Sequence, residues 1–535
     1  MKRAGGRVAA MLAAAIFAAG AAWARDAPPL AHIPLVPMGY QTLLPEFLLA
    51  GSSMLTVDFV DRDHLLITFG VRRLMRREPD DPPDDDDHTV DAVLVELPSG
   101  KLLARTEWRL HDRGQYLWSL GDGRFLLRVR DRLMVLAPLA AGGAKDAFRE
   151  APLLRFDRHI VELTVSPNKD LLTLETTGRA KAGDAAPVQI DFYRLMNTNG
   201  SANGLTIAFA GVVRARAAIA LPITTAGILK VIEEGKDRWL FNFAENTGRV
   251  DDLAEFDTSC APQPIFVGHG EFVAFGCLGS TQRQALAGFN LKGEEMWQQN
   301  IDAEAAPAFA FAPTAGRFAL GRVEVAGAVD PDSTAPLPED IVSGQEVRVL
   351  QSYDGRLLFR IDCSPVVRAG GNFALSADGT RLAVVRETMV QHPATEDYYA
   401  YSEREAAVEV YALPQLTEKD QAAVKAAEEM APKDTGARID TALERLATPV
   451  EADAARGTSA ANAAARVASA SDPASAQRSV PPTVASHAVE QNAASEVAAP
   501  TATGGAVLGD PLPGTPRPRP TLSAPDEPQT ADKPQ

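Results

Sequence analysis

The stretch ALSADGTRLAV, residues 374–384, places a turn built on Asp378 and Gly379 between two short apolar segments. Apolar runs on either side of such a turn are typical of a β-hairpin. The pattern recurs six more times, at residues 56–67, 117–127, 163–173, 225–227, 264–274 and 309–320, and the copy at 225–227 is the least regular. Successive turns are roughly 43 to 63 residues apart, which is the spacing of four-stranded propeller blades that carry insertions.

A second hairpin phrase completes several of these repeats. It pairs two apolar runs across a glycine turn at residues 93–103, 287–297 and 347–358. Helical periodicity is rare before about residue 415. The sequence therefore predicts an all-β fold, a seven-bladed β-propeller over residues 55–413, with six or eight blades as alternatives.

The repeat phrases resemble a known family. Residues 376–384, SADGTRLAV, resemble the Ser-Pro-Asp-Gly-Lys-x-Leu-Ala signature of TolB-like and WD40-like propeller repeats, and residues 165–168, VSPN, are a weaker copy. True WD40 repeats combine a Gly-His and a Trp-Asp pair, and this combination is missing here. Residues 291–297 are similar to one quinoprotein repeat, but this occurs once and has Phe289 where that family has Asp, so no cofactor is expected. The resemblance implies a fold, and fold does not fix function.

The charge of the chain restricts its partners. With a formal net charge of −17 at pH 7, it lacks the basic face that phosphate contacts require. A nucleic-acid partner is therefore not expected. Ring closure leaves little free strand edge, which favours a monomer.

The N-terminus has the pattern of an export signal over residues 1–24. Lys2, Arg3 and Arg7 precede an apolar stretch at 8–20, and small residues at 22–24 suit cleavage after Ala24. An uncleaved anchor is the alternative. No other stretch reaches the roughly 18 apolar residues of a membrane helix, so no transmembrane segment is expected after signal removal. We predict a secreted or periplasmic protein, with residues 25–54 forming an N-terminal strap.

Three cysteines fit an oxidising compartment. Cys260 and Cys277 flank one repeat phrase, and adjacent strands bring them into register for a disulfide. Such a bridge stabilises by about 3 kcal/mol on the chain-entropy estimate. Cys363 is left over and is expected to be buried, and no cysteine or histidine spacing predicts a metal site.

The C-terminal quarter differs from the repeats. Within residues 414–430, the stretch 418–430 alternates charge and Ala at helical spacing, which predicts a short exposed helix or stalk. Residues 431–535 are rich in Ala, Pro, Ser and Thr and contain no aromatic residue. Such a segment buries too little apolar area to offset its ordering entropy, so a disordered tail is predicted, either solubilising or acting as a tether.

Catalytic motifs are nearly absent. Ser201, in the turn at 200–204, is one position early for a nucleophile elbow, and the eight histidines form no His-Glu-x-x-His pair. Because distant blades of a propeller can still assemble a site, a hydrolase or lyase at the central channel stays as an alternative. Catalytic residues are not assigned, and a non-enzymatic role is favoured.

The long insertions are more informative. If each repeat phrase is the first hairpin of a blade, the connections at 76–88, 177–187, 326–343 and 391–405 join the second and third strands of blades 1, 3, 6 and 7. These connections emerge on one face, and blades 6, 7 and 1 are neighbours in a closed ring. Loops on a rigid scaffold are where binding residues concentrate. The candidate binding residues are Asp84, Asp85, Asp86, Asp87, Asp330, Asp332, Glu396, Asp397, Tyr398, Tyr399 and Tyr401.

These residues are acidic or aromatic. Crowded carboxylates repel each other unless a cation or a basic partner relieves them, and tyrosines supply rigid contact area. In the alternative interpretation, Asp84 to Asp87 are a solvated run of charge and the tyrosines pack on their own blade. The hypothesis from the sequence is an exported module that binds a protein or peptide, cationic in character, through these loops. The other hypotheses are a channel enzyme and a structural component of a cell-envelope complex.

Overall fold

A ring of seven small antiparallel sheets makes up the described part of the chain. The computed structural model describes residues 28–41, 55–71, 88–111, 115–136, 147–178, 188–197, 204–215, 222–279, 283–302, 307–325, 342–363, 371–393 and 401–440. Six of the sheets take their strands in chain order from the inside outward, as blades of a propeller do, and in the seventh the outermost strand comes from the N-terminal segment. The predicted seven-bladed β-propeller is confirmed.

The strands are as follows, in chain order. Strand β1 (Ala31–Pro34) precedes blade 1, which contains β2 (Thr56–Phe59), β3 (His64–Val71), β4 (His88–Glu96) and β5 (Lys101–Leu110). Blade 2 contains β6 (Leu117–Gly121), β7 (Arg124–Val129), β8 (Arg132–Leu136) and β9 (Glu150–Arg155), and blade 3 contains β10 (His159–Val165), β11 (Leu171–Thr177), β12 (Val188–Asn197) and β13 (Leu205–Ala215). Blade 4 contains β14 (Gly227–Gly235), β15 (Arg238–Glu245) and β16 (Val250–Asp257), and blade 5 contains β17 (Gln263–Phe266), β18 (Glu271–Cys277), β19 (Arg283–Asn290) and β20 (Glu295–Asp302). Blade 6 contains β21 (Ala308–Ala312), β22 (Arg317–Val325), β23 (Val342–Gln351) and β24 (Leu357–Cys363), and blade 7 contains β25 (Phe373–Leu375), β26 (Arg381–His392) and β27 (Tyr401–Ala412).

The N-terminal strand closes the ring. β1 pairs antiparallel with β27 and becomes the outermost strand of blade 7, with Ile33 opposite Val408. Ile33 is fully buried in the apolar cluster between blades 7 and 1. The described part of the predicted strap, residues 28–41, therefore joins the two ends of the ring.

Blade 4 is the exception among the seven blades. A single bridge between Ile223 and Ile228 stands where the other blades have an innermost strand. The turn at 224–227 still lies at the expected place. The reduction of the innermost strand to one bridge explains why this repeat is the least regular in the sequence.

The core is divided among the blade interfaces. Each of seven apolar clusters joins two neighbouring blades, so that together they go round the whole ring. Inner strands are apolar on both faces because both faces are covered; Leu65, Leu66 and Ile67 of β3 are all fully buried. Burial on both sides is what the short continuous apolar runs of the sequence predict.

The two rims of the ring differ in the lengths of their connections. The A–B rim carries the turns between the first and second strands of each blade, and the B–C rim carries those between the second and third. The long connections predicted for blades 1, 3, 6 and 7 do join second and third strands. Most of each of them, residues 72–87, 179–187, 326–341 and 394–400, lies outside the described residues.

One helix follows the ring. Helix α1 (Glu418–Met430) begins with a capping box, in which the Thr417 hydroxyl accepts from the Asp420 backbone N–H and the Asp420 carboxylate accepts from the Thr417 backbone N–H. Over the described ranges, no helix is long and apolar enough to cross a membrane.

Candidate functional site

Charged side chains from separate blades meet at the A–B rim. Asp170 ends the turn of blade 3, and His269 occupies the turn of blade 5 between two glycines. Lys169 has a positive φ of 62°, which keeps the blade 3 turn tight beside Asp170. These turns bring Asp170 and His269, far apart in sequence, into contact above the centre of the ring.

His269 bonds to two carboxylates at once. Its Nε2 lies 2.7 Å from Asp170 Oδ2, and its Nδ1 lies 3.1 Å from Glu428 Oε2 of helix α1. Burial alone would lower the pKa of His269, but hydrogen bonds and charges from Asp170 and Glu428 raise it to about 9. At neutral pH the ring is therefore a cation that donates from both nitrogens, and it is not free to act as a general base.

Asp170 is held as an anion. The Ser166 hydroxyl donates to its Oδ1 at 2.7 Å. Burial alone would raise the pKa of Asp170, but hydrogen bonds from His269 and Ser166 outweigh burial and lower it. The arrangement of serine, aspartate and histidine is thus not a nucleophilic triad, because the serine contacts the aspartate and not the imidazole.

The first turn of α1 is anchored to blade 6. The Asp420 side chain is 1% exposed and accepts from the Tyr353 hydroxyl at 3.0 Å and from Arg356 Nη2 at 2.8 Å. Burial alone would raise the pKa of Asp420, but the bonds from Thr417 and Tyr353 and the charge of Arg356 lower it. The predicted short helix is present and most of its residues are exposed, but one side of it, at Asp420 and Ala427, is buried against the rim.

Two turn glycines allow the helix to come this close. A Cβ on Gly270 would overlap the carbonyl oxygen of Ala427, and a Cβ on Gly316 would lie 2.8 Å from Val424 Cγ2. Gly316 also has a φ of 57°. These turns of blades 5 and 6 thus provide the surface on which α1 lies.

The space under the helix is small. A cavity of about 10 Å³ is lined by His269, Glu271, Ser352 and Glu428, among others. The Ser352 hydroxyl donates to Glu271 Oε2 at 2.6 Å. This volume suits about one water molecule, so the cavity is not a substrate pocket.

The channel wall carries further ionisable groups. Asp58 on β2, Glu162 on β10 and Lys169 are all partly exposed, and the innermost strands border the channel. Burial raises the pKa of Asp58 to about 7, opposed by the Lys169 charge, and burial raises that of Glu162 to about 7. Burial lowers the pKa of Lys169, and Asp58 opposes this change. A carboxyl and an amine from blades 1 and 3 therefore influence each other in the channel.

Residues 431–440 continue from α1 to blade 3. From here on, the strap means these C-terminal residues and not the N-terminal segment at 28–41. Arg194 Nε donates to Asp434 Oδ2 at 2.7 Å, and Arg194 Nη2 donates to the Ala437 carbonyl at 2.7 Å. Ile439 is fully buried between blades 3 and 4. The predicted disorder is therefore wrong for residues 431–440, and residues 441–535 lie outside the described residues.

The candidate binding residues fall almost entirely outside the described ranges. These are Asp84 to Asp87, Asp330, Asp332, Glu396, Asp397, Tyr398 and Tyr399. Tyr401 begins β27, where its backbone pairs with His392, so it belongs to a strand and not to the connection. The strands of blade 7 extend further than the sequence indicated, which shortens this connection to residues 393–400.

Two of the three cysteines lie at the junction of blades 4 and 5, and the third ends the last strand of blade 6. Cys260 and Cys277 form a disulfide with a Cα–Cα distance of 5.3 Å, and Cys363 is buried and free. No group of three or more His, Cys, Asp or Glu side chains within the described ranges is arranged to hold a metal ion.

Comparison with known proteins does not identify a family for this chain. No family model matches the chain, and neither does any curated protein sequence. Solved structures with similar folds include prolyl oligopeptidase B from Galerina marginata, at 9% identity and a TM-score of 0.35, over 65% of this chain and 44% of that one. They also include the C-terminal WD40 domain of Sif2, at 9% identity and a TM-score of 0.31, over 72% and 99%. The ring of seven sheets itself shows that the protein is a seven-bladed β-propeller.

These likenesses do not extend to activity. The chain matches less than half of the length of the prolyl oligopeptidase. A putative 6-phosphogluconolactonase from Bacteroides uniformis is similar at 12% identity and a TM-score of 0.27, over 51% of this chain and 78% of that one. At such identities no activity of a neighbour can be carried over, because one fold serves many functions.

Sequence patterns did not reveal the contacts at the A–B rim. His269 and Asp170 are separated by 99 positions, and no local motif joins them. The glycine on each side of His269 indicates a turn, but it does not indicate the contact with Asp170.

Proposed function

We propose that the protein is a binding module that holds a protein or peptide partner on its B–C rim, in the sector of blades 6, 7 and 1. One observation carries the proposal: the A–B rim is already occupied by α1 and the strap. Ion pairs at His269 and a buried cap at Asp420 hold α1 there. The long B–C connections are then the surface that we propose for a partner, because binding residues concentrate on loops held by a rigid scaffold.

The sequence of the B–C connections supports a cationic partner. Residues 84–87 are four consecutive aspartates, and the blade 6 and blade 7 connections add Asp330, Asp332, Glu396 and Asp397. Such a concentration of negative charge attracts basic surfaces and speeds their association. The proposal also includes export from the cytoplasm, on the basis of residues 1–24.

The test is capture of partners from the native envelope fraction, with mass spectrometry. Replacing Asp84 to Asp87 with Asn is expected to weaken capture at least tenfold and to flatten its salt dependence. The matched control removes four charges at the blade 4 end of the same rim, by Glu233→Gln, Glu234→Gln, Asp237→Asn and Asp257→Asn. If both variants capture the same partners as the wild type, the proposal is wrong.

A hydrolase or lyase in the channel is a second candidate. The observation that favours it is the electrostatic coupling of Asp58 to Lys169, since shifted pKa values concentrate at active sites. Turnover of ester, peptide or glycoside substrates that is lost in Asp58→Asn would support it. Equal turnover in the wild type and the variant would exclude these residues as catalytic groups.

A structural role in a cell-envelope complex is the third hypothesis. The contact of the strap with blade 3 favours this role, because it holds Ile439 and Asp440 at a fixed point on the ring. Deleting residues 449–535 and finding unchanged localisation and partners would count against a tether.

A further inference from the structure

Three arginines of blade 6 surround one buried glutamate. The side chain of Glu346 on β23 has no exposed surface. Arg322 Nε of β22 donates to Glu346 Oε1 at 2.9 Å, and Arg348 Nε of β23 donates to the same oxygen. Arg360 of β24 forms an ion pair with Oε2. Three neighbouring strands thus direct guanidinium groups at one carboxylate, and these three arginines are called the arginine cluster.

Positive charge exceeds negative charge in this cluster. Burial alone would raise the pKa of Glu346, but the hydrogen bond from Arg322 and the charge of Arg348 lower it, so Glu346 is an anion. Arg322 Nη2 also donates to Glu324 Oε1 at 3.0 Å. Asp362, opposite Glu346 in the register, is exposed and forms no ion pair with any described residue. Three guanidinium groups therefore share two paired carboxylates, which leaves one positive charge in a chain of formal net charge −17.

Two of the arginines keep hydrogen-bond donors in reserve. Arg348 and Arg360 both contact Glu346 through Nε, and their Nη groups donate to no group within the described ranges. Their side chains are 20% and 32% exposed, so solvent reaches them. A guanidinium group presents its N–H donors in a planar fork that matches a carboxylate or a phosphate. Because both arginines contact the same carboxylate, the two forks lie side by side.

Blade 5 adds a buried donor at the same level. Leu320 lies opposite Arg348 in the register and belongs to the apolar cluster between blades 5 and 6, so Arg348 faces blade 5. Trp297 of β20 stacks on Phe318 of β22, with ring centroids 6.4 Å apart. Gln299 lies two residues beyond Trp297, as Leu320 lies two residues beyond Phe318. Gln299 is therefore level with Arg348, and its Nε2 is buried with no partner among the described residues.

We propose that the arginine cluster and Gln299 form a binding site for an oxyanion, the carboxylate or phosphate group of a small ligand, on the outer flank between blades 5 and 6. Arg360 and Gln299 lie on the outermost strands of their blades, which places the site at the flank of the ring. Arg348 and Arg360 donate from their forks, and Gln299 Nε2 gains the acceptor that it lacks. Glu346 is a positioning residue that holds the two forks. This site is separate from the acidic B–C connections, and the two proposals do not depend on each other.

Thermal unfolding of the full chain tests this site, with sodium phosphate or sodium succinate added at an ionic strength kept constant with sodium chloride. At a concentration ten times the dissociation constant, binding is expected to raise the Tm by about 2 °C. The Arg348→Lys/Arg360→Lys variant keeps the charges around Glu346 but removes the forks, so it is expected to lose at least half of this shift. The matched control is Arg132→Lys/Arg155→Lys on blade 2, where the side chains are 57% and 72% exposed, and it is expected to respond as the wild type does.

A second variant covers the case in which the lysine variant does not fold. Gln299→Met removes the donor of blade 5 without changing any charge, and it is expected to weaken binding about threefold. A response to phosphate alone or to succinate alone would support the site and identify the group that it takes. Two results would overturn the proposal. One is a wild type that responds to neither anion, and the other is an equal shift in the wild type, the control and both site variants, which would mean a general salt effect.

Discussion

His269 of blade 5 and Asp170 of blade 3 are joined by a 2.7 Å hydrogen bond across the A–B rim, and the second imidazole nitrogen holds Glu428 of helix α1. The same histidine thus ties two blades that are not neighbours and attaches the C-terminal helix to both. This contact fixes α1 on the A–B rim.

His269→Gln is expected to loosen α1. The folded pKa of about 9 exceeds the ordinary 6.5, so the stabilisation is fully present below about pH 6.5 and is lost as the pH rises through 9. Because the three side chains are partly exposed, we expect a loss of only about 1 kcal/mol at pH 7. Urea unfolding at pH 6, 7.5 and 9.5 checks this. A difference between variant and wild type that persists undiminished above pH 9.5 would contradict the ionic origin.

Gly270→Ala is expected to displace α1 sterically. The new Cβ would overlap the Ala427 carbonyl oxygen, and relieving such an overlap costs about 1–3 kcal/mol. Limited proteolysis within residues 418–430 should become faster. Gly235→Ala is the matched control, since a Cβ there has no atom within 4 Å. Equal cleavage of both variants would show that the helix does not rest on this turn.

Ile33→Ala is expected to weaken ring closure. Ile33 is fully buried where β1 seals blade 7, and removing such a side chain costs about 2–4 kcal/mol. Thermal unfolding measures the loss, and Leu30→Ala, at a residue 49% exposed, serves as the control. If both changes have the same small effect, β1 does not close the ring.

The Cys260→Ala/Cys277→Ala variant is expected to lose about 3 kcal/mol, because the bridge closes a loop of 17 residues in the unfolded chain. Denaturant unfolding with and without reductant measures this. Reductant should destabilise the wild type and leave the variant unchanged. If reductant leaves the denaturant unfolding of the wild type unchanged, the bridge does not form.

The channel carboxyls give a pH dependence of the same sign as that of His269, at lower pH. Burial raises the pKa of Asp58 from 3.8 and that of Glu162 from 4.5, each to about 7. Their contribution to stability is present below about pH 4 and is lost as the pH rises through 7. Asp58→Asn/Glu162→Gln is expected to flatten the change in the free energy of unfolding between pH 4.5 and 7.5. An unchanged slope would mean that these groups are solvated.

The fold was largely predictable from the sequence because each blade repeats a local signal. Phe309 to Phe311 and Phe318 to Leu320, around a glycine turn, specify a hairpin without reference to the rest of the chain. The exception is blade 4, where the innermost strand is reduced to the Ile223 bridge, and there the repeat is faint.

The A–B rim was not predictable in the same way. The pairing of His269 with Asp170 depends on the closure of the whole ring, and the helix contact at Gly270 depends on the absence of a side chain. Composition also concealed the strap, since Ile439 is one apolar residue in a polar segment, yet it is fully buried. Arg194, which donates to Asp434 of the strap, lies 240 residues before it in the sequence.

The most direct test of a binding module that uses the B–C rim is cross-linking mass spectrometry of the protein with its captured partner. We predict that the cross-links fall on the B–C rim, at lysines introduced for Val71, Val325 and Gln391 beside the connections of blades 1, 6 and 7. Lysines introduced on the A–B rim, for Asp122 and Asp354, should give none. Cross-links concentrated on the A–B rim, with α1 released, would contradict the account.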